Sequence, residues 1–238
     1  MRAFGSAPDL DIDFARTDRP NLVTALLAHC DARHDPAFWW EQPVGARTAA
    51  LLRLVAATEE RESLAMSAQC SSAACGEYFD FDLPLRSLPG PAAGIGPLRI
   101  RLGDERVVTM RCPTGEDLRR WHAARPRSRP EAVRLMLDSL VVSGQVKPDD
   151  EAAVSASIVS IDPLVDFSVS CSCPACGSRQ EIVVDLEALA VRRLARRQHA
   201  LIRDVHRLAS QYGWTEAESL AVPASRRALY LELIEGQP

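Results

Sequence analysis

Two stretches of this chain carry side chains that could hold a metal: Cys70-Ser71-Ser72-Ala73-Ala74-Cys75-Gly76 and Cys171-Ser172-Cys173-Pro174-Ala175-Cys176-Gly177. A structural zinc ion takes four thiolate or imidazole donors in a tetrahedron. Neither stretch supplies four, but Cys70 and Cys75 from the first with Cys173 and Cys176 from the second do. Cys171 is then a spare or alternative ligand. One constant offset lays Cys70 on Cys171, Cys75 on Cys176 and Gly76 on Gly177. Gly after the last Cys of each lets the backbone turn under a metal with φ > 0, and Pro174 fixes the second bend. Where Cys173 stands, the first copy has Ser72. Either Cys70 serves through a longer loop, or that half of the site is weakened.

Three other uses of these thiols compete. A thioredoxin-like redox pair needs its cysteines at a helix N-terminus, where the dipole lowers a thiol pKa, and here the strand-like Ile182-Val183-Val184 follows. A disulfide framework suits small exported chains. The third is a relic, a duplicated hairpin that has lost its metal and survives on packing.

The elements that must position the cysteines are written on either side of them. Leu64, Met66 and Ala68 alternate before the first group and Val165, Phe167 and Val169 before the second; Phe79, Phe81 and Leu83, and Gln180, Ile182 and Val184, alternate after them. Period-two alternation around a tight turn reads as strand, knuckle, strand. The expected fold is α+β: duplicated zinc-knuckle β-hairpins forming a split zinc ribbon, with a helical insertion and a C-terminal helical bundle. The expected parts are an N-terminal arm and helix (1–42), a helix plus the first knuckle hairpin (43–85), an inserted hairpin and helices (86–161), the second knuckle hairpin (162–187) and C-terminal helices (188–238).

In chain order, residues 1–18 are polar and irregular, a mobile arm or a docking strand. Pro20 opens a helix to about Cys30, and Phe38-Trp39-Trp40 lies in a loop bounded by Pro36 and Pro43. His29, Cys30 and His34 are too closely spaced for a full metal site. An Ala/Leu-rich helix runs from Val44 to Thr58 into the first hairpin. The four prolines and three glycines from Pro84 to Pro97 make a loop. Leu98 to Leu102 and Val108 to Cys112 form a hairpin about Gly103-Asp104-Glu105, with Cys112 inward. Thr114 and Asp117 cap a helix to about Ala124; further helices run from Pro130 to Val142 and from about Asp149 to Ile161. Over 190–212, Leu194, Leu201, Ile202, Val205, Leu208, Ala209 and Tyr212 share one face. Arg192, Arg193, Arg196, Arg197, Arg203 and Arg207 share the other. Gly213 stops this helix, Thr215 and Glu218 cap a short one, and Pro223 opens the last.

The chain has 238 residues, 47% hydrophobic and 25% charged, the balance of a soluble globular protein. No apolar run is long enough to span a bilayer, and the N-terminal stretch has no signal-peptide core. An odd cysteine count, seven, in such a chain points to reduced thiols and the cytoplasm. A net charge of −4 argues against bulk attraction to nucleic acid. There is no phosphate loop, nucleophile elbow or oriented Cys-His pair, so no catalytic residue and no small-molecule substrate is expected. A four-thiolate site would be closed to substrate water.

The run from Asp204-Val205-His206-Arg207-Leu208-Ala209-Ser210-Gln211-Tyr212-Gly213-Trp214 through Pro223 to Arg226-Arg227-Ala228-Leu229-Tyr230-Leu231-Glu232-Leu233-Ile234 resembles the T-even-phage-type baseplate hub assembly proteins of contractile phage tails and contractile injection systems. So do Pro43-Val44-Gly45-x-Arg47, the two Cys-Gly knuckles and Pro113-Thr114-Gly115-x-Asp117-Leu118, over most of residues 43–235. The first knuckle departs from the pattern, with Ser72 and Ala73 in place of Cys and Pro. The resemblance implies a non-catalytic assembly factor or chaperone whose partners are baseplate or tail proteins. Trp214, Arg226, Arg227 and Tyr230 are the expected partner-binding residues. A different class is a zinc-ribbon nucleic-acid-binding or transcription-related protein using the arginine face and Arg125 to Arg129.

Overall fold

The computed structural model describes residues 1–91, 96–103 and 105–236. The middle of the expected Pro/Gly loop (92–95) and Asp104 of the expected hairpin turn lie outside the described residues. Among the described residues the architecture is mixed α+β with three small antiparallel sheets. Helices α1 (Arg19–Cys30), α2 (Pro36–Glu41) and α3 (Val44–Glu59) lead into hairpin β1 (Ser63–Gln69) and β2 (Tyr78–Pro84). The inserted segment holds β3 (Leu98–Arg101), β4 (Val107–Met110), α4 (Gly115–Ala124), α5 (Arg129–Leu140), β5 (Val141–Ser143) and α6 (Glu151–Ile161). Hairpin β6 (Phe167–Ser172) and β7 (Arg179–Val184) follows, then α7 (Leu186–Tyr212), α8 (Glu216–Ala221) and α9 (Ala224–Glu235). No helix among the described residues is long and apolar enough to cross a membrane.

Among the described residues two large apolar cores hold this together, with a small third cluster under the thiols. The larger packs Leu22, Val23, Leu26 and Leu27 of α1 and Leu51, Leu54 and Val55 of α3 against Leu186, Ala190 and Leu194 of α7; Leu64, Leu83 and Val184 at the hairpin bases join it. Both hairpins therefore stand on one helical platform, which a two-stranded sheet needs to be stable. The second core lies within the inserted segment: Ile100, Val108, Met110, Leu140, Val154 and Ile158. The inserted segment thus has an apolar core of its own. Part of the reason is β5, which pairs with β4: the α5 helix stops at Leu140, and Val141 continues as a strand, closing a three-stranded sheet that helices α5 and α6 cover.

The two parts meet where two expected turns touch. Pro43 bridges Thr114, with Val44 N–H donating to the Pro113 carbonyl (2.9 Å) and Gly115 N–H to that of Gln42 (3.1 Å). Asp162 accepts from Gly45 N–H at 2.9 Å and so caps α3 from across the chain. Arg47, fully buried, donates to the Trp39 and Pro20 carbonyls (2.6 and 3.2 Å) and lies beneath the Trp40 ring. A side chain at Gly45 would collide with the Asp162 carboxylate, and one at Gly115 with the Arg47 guanidinium. Glycine at both positions leaves room for these two side chains.

Elsewhere the structure changes details. The Phe38-Trp39-Trp40 stretch is a short helix, because the Asp35 carboxylate caps Phe38 N–H at 2.9 Å and Pro36 opens the first turn. The N-terminal arm is docked, with Phe4 buried in the larger core. Gln198 of α7 reaches the carbonyls of Asp9, Leu10 and Ile12 at 2.8–3.1 Å.

Candidate metal centre

The first hairpin pairs Leu64 with Leu83, Met66 with Phe81 and Ala68 with Phe79. The second pairs Phe167 with Val184, Val169 with Ile182 and Cys171 with Gln180. Cys70 N–H closes the first turn on the Glu77 carbonyl (2.8 Å), and Cys173 N–H closes the second on that of Ser178 (2.9 Å). In position, then, Cys70 corresponds to Cys173 and not to Cys171. The constant offset misaligns the leading strands because the first turn is two residues longer, Cys70 to Cys75 against Cys173 to Cys176. A slip of two leaves every side chain on its own face, which is why the alternation looked right in both registers. Gly76 (φ 66) and Gly177 (φ 73) supply the left-handed residue each turn requires.

The four thiols converge. Cys70 Sγ lies 3.7 Å from Cys176 Sγ and Cys75 Sγ 3.9 Å from Cys173 Sγ. All four sulfurs fall within 4.8 Å of one another. A disulfide would need sulfurs about 2 Å apart. A tetrahedral zinc with Zn–S bonds of about 2.3 Å has sulfur–sulfur edges of about 3.8 Å, so the donors fit that ion in kind, number and spacing. Cys70 and Cys173 are buried, Cys75 is half-buried and Cys176 is exposed. Cys171 sits on β6, where the first hairpin has Ala68, outside this group of four. The structure does not place it as a ligand; it packs, half-buried, against the cluster of Cys70, Phe79 and Cys173.

Backbone N–H groups surround the sulfurs. Those of Cys176 and Ala175 hold the Cys173 thiol down to about 7. The Glu77 N–H lowers Cys75, but burial and the neighbouring Cys176, Cys173 and Cys70 sulfurs outweigh it and push that thiol up to about 12. Cys70 is raised overall, although its largest single influence, the Ser72 N–H, lowers it. Four sulfurs this close cannot all ionise without a cation between them. What the arrangement offers chemically is a closed, four-thiolate cation site.

The hairpins also touch directly. The Gln180 side chain accepts from Ser71 N–H at 2.7 Å and donates to the Gln69 carbonyl at 3.0 Å, tying the second hairpin to the first turn. Phe79 packs with Cys70 and Cys173 under the sulfurs. Sequence reasoning missed Gln180; the one visible signal was a polar residue at a position where the first hairpin has Phe79. Arg193, expected on the outer basic face of α7, is only 15% exposed in its side chain. It pairs with Glu59 (2.6 Å) and donates to the Ala65 carbonyl (2.7 Å), clamping β1 to α3.

The expected partner residues divide. Arg226 is exposed. Arg227 is buried and donates to the Leu220 carbonyl at 3.2 Å, so it caps the end of α8 from within and is not a free surface group. Trp214 and Tyr230 are half-buried and cluster with Tyr212, ring centroids 5.0–5.6 Å apart. They join the end of α7 to α9. Compared with protein-family models, curated proteins and solved structures, the chain matches none.

Proposed function

We propose that this chain is a non-catalytic assembly factor or chaperone for the baseplate hub of a contractile phage tail or contractile injection system, stapled by a structural zinc ion. The four-sulfur cluster carries the zinc half of this proposal, because its donor set and edge lengths suit that ion. On this reading the hairpins are a duplicated pair forming one split zinc ribbon, with Cys70 acting through the longer turn. The assembly half rests on the resemblance in sequence. It draws support from the meeting of two of the resembling stretches, around Pro43 and Pro113, in one buried junction. The working surface is assigned to the exposed side of α9, with Arg226, Leu229 and Leu233.

Protein purified without a His-tag is expected to contain close to one zinc per chain. Cys176→Ser should lose it and Cys171→Ser should keep it. A zinc-free chain whose melting ignores a chelator would mean the hairpins stand on packing alone. Arg226→Glu should melt like the parent chain yet no longer co-purify with co-expressed baseplate proteins. Salt-sensitive binding to random DNA would instead favour the nucleic-acid class.

A further inference from the structure

A cavity of about 700 Å³ opens where the start of α1, helices α4 and α5, and the base of the second hairpin come together. That volume falls within the usual range for ligand sites, about 300–1,000 Å³. Three of the large apolar side chains that the fold leaves exposed lie in its walls: Met136, Val165 and Val183, the last 73% exposed. Exposed apolar residues gathered round one concavity mark an interaction site.

The polar lining is lopsided. Asp166, Asp185 and Glu187 face one described Lys or Arg, Arg19, together with the imidazole of His122. Arg19 is already committed, at 2.6 Å to Asp185 and 3.2 Å to Glu187. Glu187 is 9% exposed, and its Oε2 is shielded from solvent with no hydrogen-bond partner among the described residues. An acid in the first turn of α7 suits the helix dipole, but that does not account for burying one of its oxygens without a donor. Burial raises the Glu187 carboxyl above its ordinary range, with Arg19 and Arg47 opposing. The group is short of positive charge.

We propose that this cavity receives a segment of a partner protein that carries a lysine or arginine side chain among apolar neighbours. The cation would sit against the exposed Asp166 and Asp185 carboxylates, with the buried Glu187 charge behind them adding to the attraction. The apolar neighbours would cover Met136, Val165 and Val183, more surface than a small amine reaches. An acidic segment is excluded by the three carboxylates. No residue of the cavity is a thiol ligand or part of α9, although Val44, Pro113 and Leu118 in its lining belong to the stretches that carry the baseplate resemblance.

Two short capped peptides of leucine and valine, identical except for lysine or norleucine at the centre, test it by calorimetry on the full chain. An apolar cavity alone would prefer norleucine. The proposal requires lysine to bind more tightly, by about tenfold or more. Glu187→Gln should reduce that preference, and Val183→Ser should weaken both peptides while keeping it. Should Glu187→Gln fail to fold, Asp166→Asn at an exposed position must still reduce the preference. Equal or tighter binding of norleucine, no binding of either peptide, or a preference that the acid substitutions leave undiminished would overturn the proposal.

Discussion

Asp9 shows how much one buried carboxylate can organise. It is fully buried, grips Arg2 through both oxygens (2.6 and 2.8 Å), and accepts from Gly5 and Ser6 N–H (2.6 and 2.8 Å) and from His29 Nε2 (2.7 Å). Burial alone would raise its carboxyl, yet the Arg2 and backbone donors together hold it well below the usual range. A depressed carboxylate stabilises the fold above its unfolded value of about 3.9 and loses that contribution as pH falls toward the folded one. Asp9→Ala should therefore lower stability at neutral pH and flatten the acid limb of a melting-temperature profile. The expected loss is on the order of 2–3 kcal/mol, below that of a fully buried pair because the Arg2 side chain is 41% exposed. An unchanged acid limb would remove Asp9 from this role. None of it was legible in the sequence, where Asp9 is one acid among several in a polar arm. The four thiols were legible, because cysteine spacing announces metal chemistry and few other uses.

At the scale of elements, period and punctuation placed most of the helices and the hairpins. Leu98-x-Ile100 and Val108-x-Met110 alternate openly, and Thr114 with Asp117 forms the capping box expected of them. Two misses share one physical cause, competition between local and distant partners. Val141 continues an apolar helical pattern, yet β4 recruits it as an edge strand. Arg227 looks like a surface cation, yet it is buried under the unpaired carbonyls at the end of α8. Burial lowers its pKa, an effect shared with nearby Arg197. Arg227→Ala should cost about 1–3 kcal/mol by leaving that helix end unsatisfied, whereas Arg226→Ala should leave melting unchanged. Equal effects of the two substitutions on melting would reject the distinction.

For the molecule as a whole, the inserted segment carries a core of its own and joins the rest at a glycine-lined seam and through α4, which packs on α1 and α2. Its core is complete within 98–158, while the thiol hairpins rest on the larger core. Chelation is therefore expected to speed amide hydrogen exchange in 63–84 and 167–184 and to leave 98–158 protected, because opening is local to cooperative units. Uniform acceleration along the chain would show the two cores to be one unit. That separation was hidden in the sequence: hydrophobic periodicity says which face of an element is buried and says nothing about which neighbour buries it.

The thiols that converge are 98 and 106 residues apart in pairs. A ribosome adding about 5–20 residues per second needs on the order of 5–20 s to travel from Cys75 to Cys173. Through that interval the emerging chain holds only two of the four thiols that converge, Cys70 and Cys75. The cation site can close only once Cys176 has been made, so metal retention would sort chains that reach it from chains ended earlier, before either meets a partner.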